Sequence, residues 1–141
     1  MDPFNDELDL ALLQFEDLKL NSDHMTFLIS HLLRESGLFH QSRVGCVRDN
    51  IVSRYVTPHC WIELTNGAYI DLTLRRRLYD GDNIPHGLFN PATYPDISYT
   101  GLPVKAPKIT KSELIVMTNG KYQKVLSLLQ NKFLSKYLLS L

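Results

Sequence analysis

Near the middle of the chain runs His59-Cys60-Trp61-Ile62-Glu63-Leu64-Thr65-Asn66-Gly67-Ala68-Tyr69-Ile70-Asp71-Leu72-Thr73, and the reading of this stretch decides the fold. Two alternating apolar runs flank Asn66-Gly67. Both turn residues tolerate positive φ, so the segment predicts a β-hairpin. A two-residue loop would set Ile62 against Asp71 and Glu63 against Ile70, mixing the two faces. A three-residue loop, Thr65 to Gly67 with Gly67 left-handed, sets Ile62 against Ile70 and Cys60 against Leu72. The second register gives one apolar face and one polar face, the latter carrying His59, Trp61, Glu63, Tyr69, Asp71 and Thr73. There Trp61 faces Asp71, and His59 lies diagonally from Asp71, within reach of a hydrogen bond. A carboxylate that orients an imidazole is the back half of a nucleophile–base–orienter triad.

Working outward from the hairpin, Leu8, Leu12, Phe15 and Leu18 predict an amphipathic helix over residues 6–20. Asn21-Ser22-Asp23 suits an N-cap, and Phe27, Leu28, His31 and Leu32 form the stripe of a second helix, Asp23 to Glu35, which Gly37 ends. Gln41 to Val47 reads as a strand. Arg48 to Pro58 reads as a loop, or as a further short strand through Ile51-Val52. Leu74 to Tyr79 is expected to form a helical turn. Five of the seven prolines lie between Ile84 and Pro107, which predicts an irregular cover or a functional flap. Ser112 to Met117 reads as a buried strand. A last helix from Lys121 to about Leu139 is expected to bury Val125, Leu128, Leu129, Phe133 and Tyr137. Helices, then strands, then a closing helix predict an α+β fold with a small antiparallel sheet.

With 141 residues the chain is expected to form a single domain with a core of its own. Fifteen Lys plus Arg balance 15 Asp plus Glu, which argues against a broad nucleic-acid or anionic-membrane surface. Neither a transmembrane run nor the basic-then-apolar pattern of a signal peptide is read, so a cytoplasmic setting with reduced Cys46 and Cys60 is expected. No His/Cys/Asp spacing matches a zinc set and no glycine-rich phosphate loop occurs, so neither a metal nor a nucleotide cofactor is expected.

The order of these elements resembles the transglutaminase-like branch of the papain-like superfamily. His59-Cys60-Trp61-Ile62-Glu63-Leu64 is similar to the family's His-x-Trp-x-Glu strand, and Tyr69-Ile70-Asp71-Leu72-Thr73 to its Asp-bearing strand. Arylamine N-acetyltransferases share the layout more distantly. In the family a nucleophilic cysteine opens a helix about fifteen residues before its terminal glycine, and counting back from Gly37 reaches Ser22. The likeness spans roughly residues 15–74. It implies a papain-like fold and an acyl-transfer enzyme acting on an amide of a protein or peptide, whether as protease, deamidase or transglutaminase. Ser22, His59 and Asp71 would form its catalytic triad, with Trp61 and Tyr69 beside the substrate.

Serine where the family keeps cysteine is the main departure, because a hydroxyl is far harder to ionise than a thiol. A protein that uses serine, an inactive member of the fold and an inactivated Cys-to-Ser form all fit. The alternative function is therefore a catalytically inactive, protein-binding inhibitor or effector that docks through the His59/Trp61/Tyr69 face or the proline-rich segment. Ser22 by itself also reads as a helix N-cap. Cys60 neighbours His59 but points to the other face of the strand. Cys46 is the fallback nucleophile, without a helix-terminal field. Glu63 and the Arg75-Arg76-Arg77 run read as solvated surface, and His86 as a loop residue that could edge the site.

Overall fold

The computed structural model describes residues 3–130. It has an α+β fold: five α-helices and a five-stranded antiparallel sheet in the order β4-β3-β2-β1-β5. The chain opens with α1 (Pro3–Leu12) and a 3₁₀ turn (Leu13–Phe15), then α2 (Ser22–Glu35). The strands are β1 (His40–Asp49), β2 (Arg54–Leu64) and β3 (Tyr69–Asp71), followed by α3 (Leu74–Arg77). After them come β4 (Gly87–Phe89), a 3₁₀ turn (Pro91–Thr93), β5 (Ile97–Pro103), α4 (Lys111–Met117) and α5 (Lys121–Leu128).

The hairpin takes the three-residue loop. Ile62 pairs with Ile70 and Glu63 with Tyr69, the Leu64 amide donates to Ala68 O at 2.8 Å, and Gly67 is left-handed at φ +90°. The ladder stops short of the expected Cys60–Leu72 pair because β3 ends at Asp71 and the chain turns into α3. Hydrogen-bonded pairs alternate along an antiparallel ladder, so the Cys60 amide is left pointing past the end of β3.

Several elements differ from expectation. The first helix ends at Leu12 and gives way to a 3₁₀ turn. Ile51 and Val52 are exposed in a tight turn rather than a strand, and β2 begins at Arg54. Between Gly45↔His59 and Val47↔Val56 the β1–β2 pairing slips, and Pro58 sits in that bulge, where no ladder donor is needed. The proline-rich segment is not a structureless cover: it supplies both edge strands, β4 and β5. Ser112–Met117 lies within a helix, not a strand. Thr110 caps it, accepting from the Glu113 amide at 3.2 Å while its hydroxyl donates to the Glu113 carboxylate at 3.0 Å. In α5 Tyr122, Val125, Leu126 and Leu129 are buried and Leu128 is half-buried, whereas Phe133 and Tyr137 lie outside the described residues.

The main core lies between one face of the sheet and the helices. Leu8, Leu12, Phe15, Leu28, Leu32 and Val125 pack there against Ile62, Ile70 and Leu72. Each fully buried Leu or Phe stabilises the fold by about 1.5–3 kcal/mol. A second core covers the opposite face, built from Val47, Val56, Trp61, Leu74, Leu78, Ile84 and Ile97 with four tyrosines around them. The sheet curls about this second core. Tyr69 on β3 and Tyr99 on β5 have ring centroids 5.5 Å apart, although β2 and β1 separate their strands. A flat sheet would hold such strands about 14 Å apart, three spacings of roughly 4.8 Å. The face expected to be polar is therefore the inside of a curl. No helix among the described residues is long and apolar enough to cross a membrane.

Candidate functional site

Asp71 sits at the end of β3, where the chain bends, and both of its oxygens are occupied. Oδ1 accepts from the amides of Thr73 (3.0 Å) and Leu74 (3.1 Å), which fixes the turn into α3. Oδ2 accepts from His59 Nε2 at 2.7 Å and from the Tyr99 hydroxyl at 2.9 Å. His59 is wholly buried and Asp71 nearly so. A buried carboxylate persists only where hydrogen bonds replace its water, and here five donors do so, the Thr73 hydroxyl at 3.4 Å included. Burial, and then the Asp71 charge, push the Tyr99 hydroxyl well above the ordinary tyrosine range, so Tyr99 stays protonated and donates.

The hydrogen-bond network sets the tautomer of His59. Nε2 faces a carboxylate and carries the proton, and Nδ1 is left as an acceptor. Arg77 Nη1 lies 3.0 Å from Nδ1 and also donates to Pro58 O at 2.6 Å. The ring nitrogen that would receive a proton from a nucleophile is thus the one that Arg77 meets.

Ser22 is the first residue of α2 and is buried, but it is not the cap. Asn21 fills that role, its Oδ1 accepting from the His24 amide at 3.1 Å. The Ser22 hydroxyl is therefore free for another partner, and Oγ accepts from the unpaired Cys60 amide at 3.3 Å. The structure so brings Ser22 against the backbone of the residue that follows His59. No hydrogen bond joins Ser22 to His59 among the described residues. Ser22 opens instead into a cavity of about 560 Å³ that it shares with Phe27, Cys60, Thr73, Arg76 and Arg77.

Trp61 and Tyr69 do not line this cavity. Trp61 is 1% exposed and packs edge-on against Tyr99 at 4.9 Å, while its indole Nε1 donates to Glu63 Oε2 at 3.4 Å. Tyr69 packs on Tyr99 and Phe89. Both belong to the second core, because the curl of the sheet closes the face on which they lie. The same closure removes the His59/Trp61/Tyr69 face as a docking surface. Glu63 is paired with Arg43 at 2.7 Å rather than free in solvent. The Arg75-Arg76-Arg77 run is not a simple solvated face either: each guanidinium donates to a backbone carbonyl, of Ile84, Leu20 and Pro58 respectively. His86 contacts Glu16 at 3.1 Å and does not line the Ser22 cavity.

Burial first, and then the charge of Asp23, push the Cys60 thiol up to about 11, so at neutral pH it is not a nucleophile despite lining the cavity. Cys46 is half-buried in β1. A serine–histidine contact does occur elsewhere: Ser30 Oγ lies 2.7 Å from His40 Nε2 and borders another cavity of about 590 Å³. Ser30 is mid-helix and 1% exposed, where an incoming carbonyl has no access to Oγ. Among the described residues no group of His, Cys, Asp and Glu side chains is arranged to hold a metal ion.

No protein-family model, curated protein or solved structure matches this chain. The site is thus read from its own geometry. Sequence reasoning missed two members of it, Tyr99 and Arg77. Nothing in the sequence marks Tyr99, since it reaches Asp71 only through the curl of the sheet. Arg77 could have been found from its place at the end of the helical turn that follows Asp71.

Proposed function

We propose that the protein is an acyl-transfer enzyme of the transglutaminase-like type, acting on an amide of a protein or peptide. One observation carries the reading: Ser22, which opens α2 and lines a cavity, accepts from the backbone amide of Cys60, the residue next to a buried His59 that is hydrogen-bonded to Asp71. In this mechanism Ser22 Oγ attacks the amide carbonyl and His59 Nδ1 takes the hydroxyl proton. Asp71 holds the tautomer and stabilises the imidazolium. The field at the start of α2 stabilises the developing oxyanion. Collapse of the tetrahedral species returns the proton to the leaving amine or ammonia and leaves an acyl-Ser22 ester. Water or a second amine then resolves that ester.

A second reading, a catalytically inactive member of the fold that binds a protein partner, is favoured by one contact. Arg77 holds His59 Nδ1, and Ser22 Oγ accepts from Cys60 rather than donating to His59.

Alkylation of a Ser22→Cys variant separates the two readings. The acyl-transfer reading expects fast reaction of Cys at position 22 with iodoacetamide below about pH 7, where a free thiol with a pKa of about 8.5 is slow. Adding His59→Ala should slow it at least tenfold. A thiol that reacts no faster than free cysteine, with or without His59, sinks the enzyme reading and leaves the binding one.

A further inference from the structure

Arg76 and Arg77 follow one another on α3, and both border the cavity that Ser22 opens into. Their hydrogen-bond partners are neutral: Arg76 donates to Leu20 O, and Arg77 to Pro58 O and to His59 Nδ1. Neither forms an ion pair among the described residues, in contrast to Arg43, which is matched to Glu63 at 2.7 Å. A carbonyl that accepts from a guanidinium orients it but cancels none of its charge. Asp23 is the one acid that lines the cavity, and Asp71 lies behind His59 with its oxygens taken up by hydrogen-bond donors, so the two guanidinium groups outnumber the carboxylates that face the cavity. The rest of the wall includes Phe27, Val44 and Val104, which would cover an aliphatic stem. A dianion such as a phosphate monoester would overcompensate this field beside Asp23, whereas one carboxylate balances it.

We infer that Arg76 and Arg77 recognise a carboxylate of the substrate, so that the amide presented to Ser22 belongs to an acidic peptide. This rests on Ser22 as the attacking residue. Planar guanidinium groups prefer paired contacts with carboxylates over single contacts with neutral acceptors, so a substrate carboxylate would pair with Arg76 and Arg77 and seat its amide beside Ser22. Arg77 is in this scheme a specificity-determining and positioning residue, and no bond is made to it.

Two alkylating reagents that differ in charge but not in chemistry test the inference. Iodoacetate and iodoacetamide are each reacted with the Ser22→Cys protein and with N-acetylcysteinamide as free thiol, and the rate ratio of the two reagents is compared. The ratio cancels the intrinsic reactivity of the thiol, so it reports the charge preference of the cavity even if the triad fails to activate the residue. Failure of the acyl-transfer reading shows in the iodoacetamide rate alone, and failure of the present inference in the ratio alone.

The expected result is an iodoacetate preference roughly three- to tenfold above that of the free thiol, as one unmatched charge a few ångströms away gives, and it should shrink with added salt. Adding Arg77→Gln or Arg76→Gln should bring the ratio down toward the free-thiol value, while Arg77→Lys, which keeps the charge, should retain most of it. Far-ultraviolet circular dichroism checks that each variant is folded. If Arg77→Gln does not fold, Arg76→Gln and Arg77→Lys decide alone. A free-thiol ratio in the Ser22→Cys protein overturns the inference. So does a raised ratio that neither glutamine variant lowers, because the preference would then come from His59 or the helix start.

Discussion

The His40 imidazole lies between Ser30 Oγ at 2.7 Å and Leu38 O at 2.9 Å, with Arg34 close enough to add its charge. Burial comes first among the causes that hold it below the ordinary histidine value of about 6.5. Arg34 adds to the effect, and the bond to Leu38 O opposes it. The sign of the stability effect follows. As pH falls through about 6.5 the unfolded chain takes up a proton that the folded one refuses, so His40 stabilises fully above that value and its contribution is lost on acidification. Urea unfolding at a series of pH values should show wild-type stability declining between neutrality and about pH 5, by at most about 1.4 kcal/mol per pH unit from this one group. His40→Gln should remove that part of the decline. A difference curve between the two proteins that is flat with pH would exclude the assignment. His59 differs in that its partner is a carboxylate, and that difference was legible in the sequence. The alternation of a strand puts His59 and Asp71 on one face, and the Asn66-Gly67 turn sets how far apart they lie. The bond between Ser30 and His40 joins a helix to a strand ten residues on, and no local periodicity announces it.

Two glycines govern how closely β1 and β5 approach. A Cβ on Gly101 would lie 2.5 Å from Val44 O and 2.7 Å from the Trp61 ring, and one on Gly45 would lie 2.0 Å from Thr100 O. Gly101→Ala should therefore push β5 outward and unseat Trp61. A loss of about 1–3 kcal/mol in urea unfolding is expected, together with a changed near-ultraviolet circular dichroism signal from the single tryptophan. An unchanged signal with unchanged stability would mean that the strands have room to spare. Gly101 also shows why β5 was read as irregular. Prolines and glycines argue against a central strand, yet at a sheet edge a proline loses no ladder bond and a glycine admits a close neighbour. The helix α4 misled in the opposite direction. Leu114-Ile115-Val116-Met117 is a continuous apolar run, but Val116 is 77% exposed and only Leu114 is fully buried. Thr110-Lys111-Ser112-Glu113 is a capping box and carried the better signal. The register of the central hairpin, by contrast, was fully legible, because a one-residue slip would have turned Ile62 and Ile70 away from the helices.

Across the whole molecule Tyr99 does the most to hold the curl. Its ring meets Trp61, Tyr69 and Phe89 at 4.9, 5.5 and 5.9 Å, contacts that join both edges of the sheet, and its hydroxyl reaches Asp71. Tyr99→Phe removes the hydroxyl alone and is expected to cost about 1–3 kcal/mol, since Asp71 keeps its other donors. Tyr99→Ala should cost about 3–5 kcal/mol and expose Trp61, seen as a red shift of its fluorescence before global unfolding. Equal losses for the two variants would mean that the rings contribute little. No reading of segments one at a time could foresee this closure. Composition and order predict an α+β sheet with helices on one face, but the curvature that turns the other face into a second core arises from contacts between strands far apart in the chain.

Both edge strands come from the same stretch, residues 84–103, and this bears on how the protein is made. A nascent chain that has emerged only as far as α3 already contains β1, β2 and β3, with Val47, Trp61 and Tyr69 uncovered and both outer strands unpaired. Such an intermediate is a template for association with its own copies. The short β4 and the glycine-bearing β5, which ends at Pro103, arrive together and shield the two flanks almost at once. The interval of synthesis between α3 and β5, rather than the final fold, is then the stage at which this chain is most open to association.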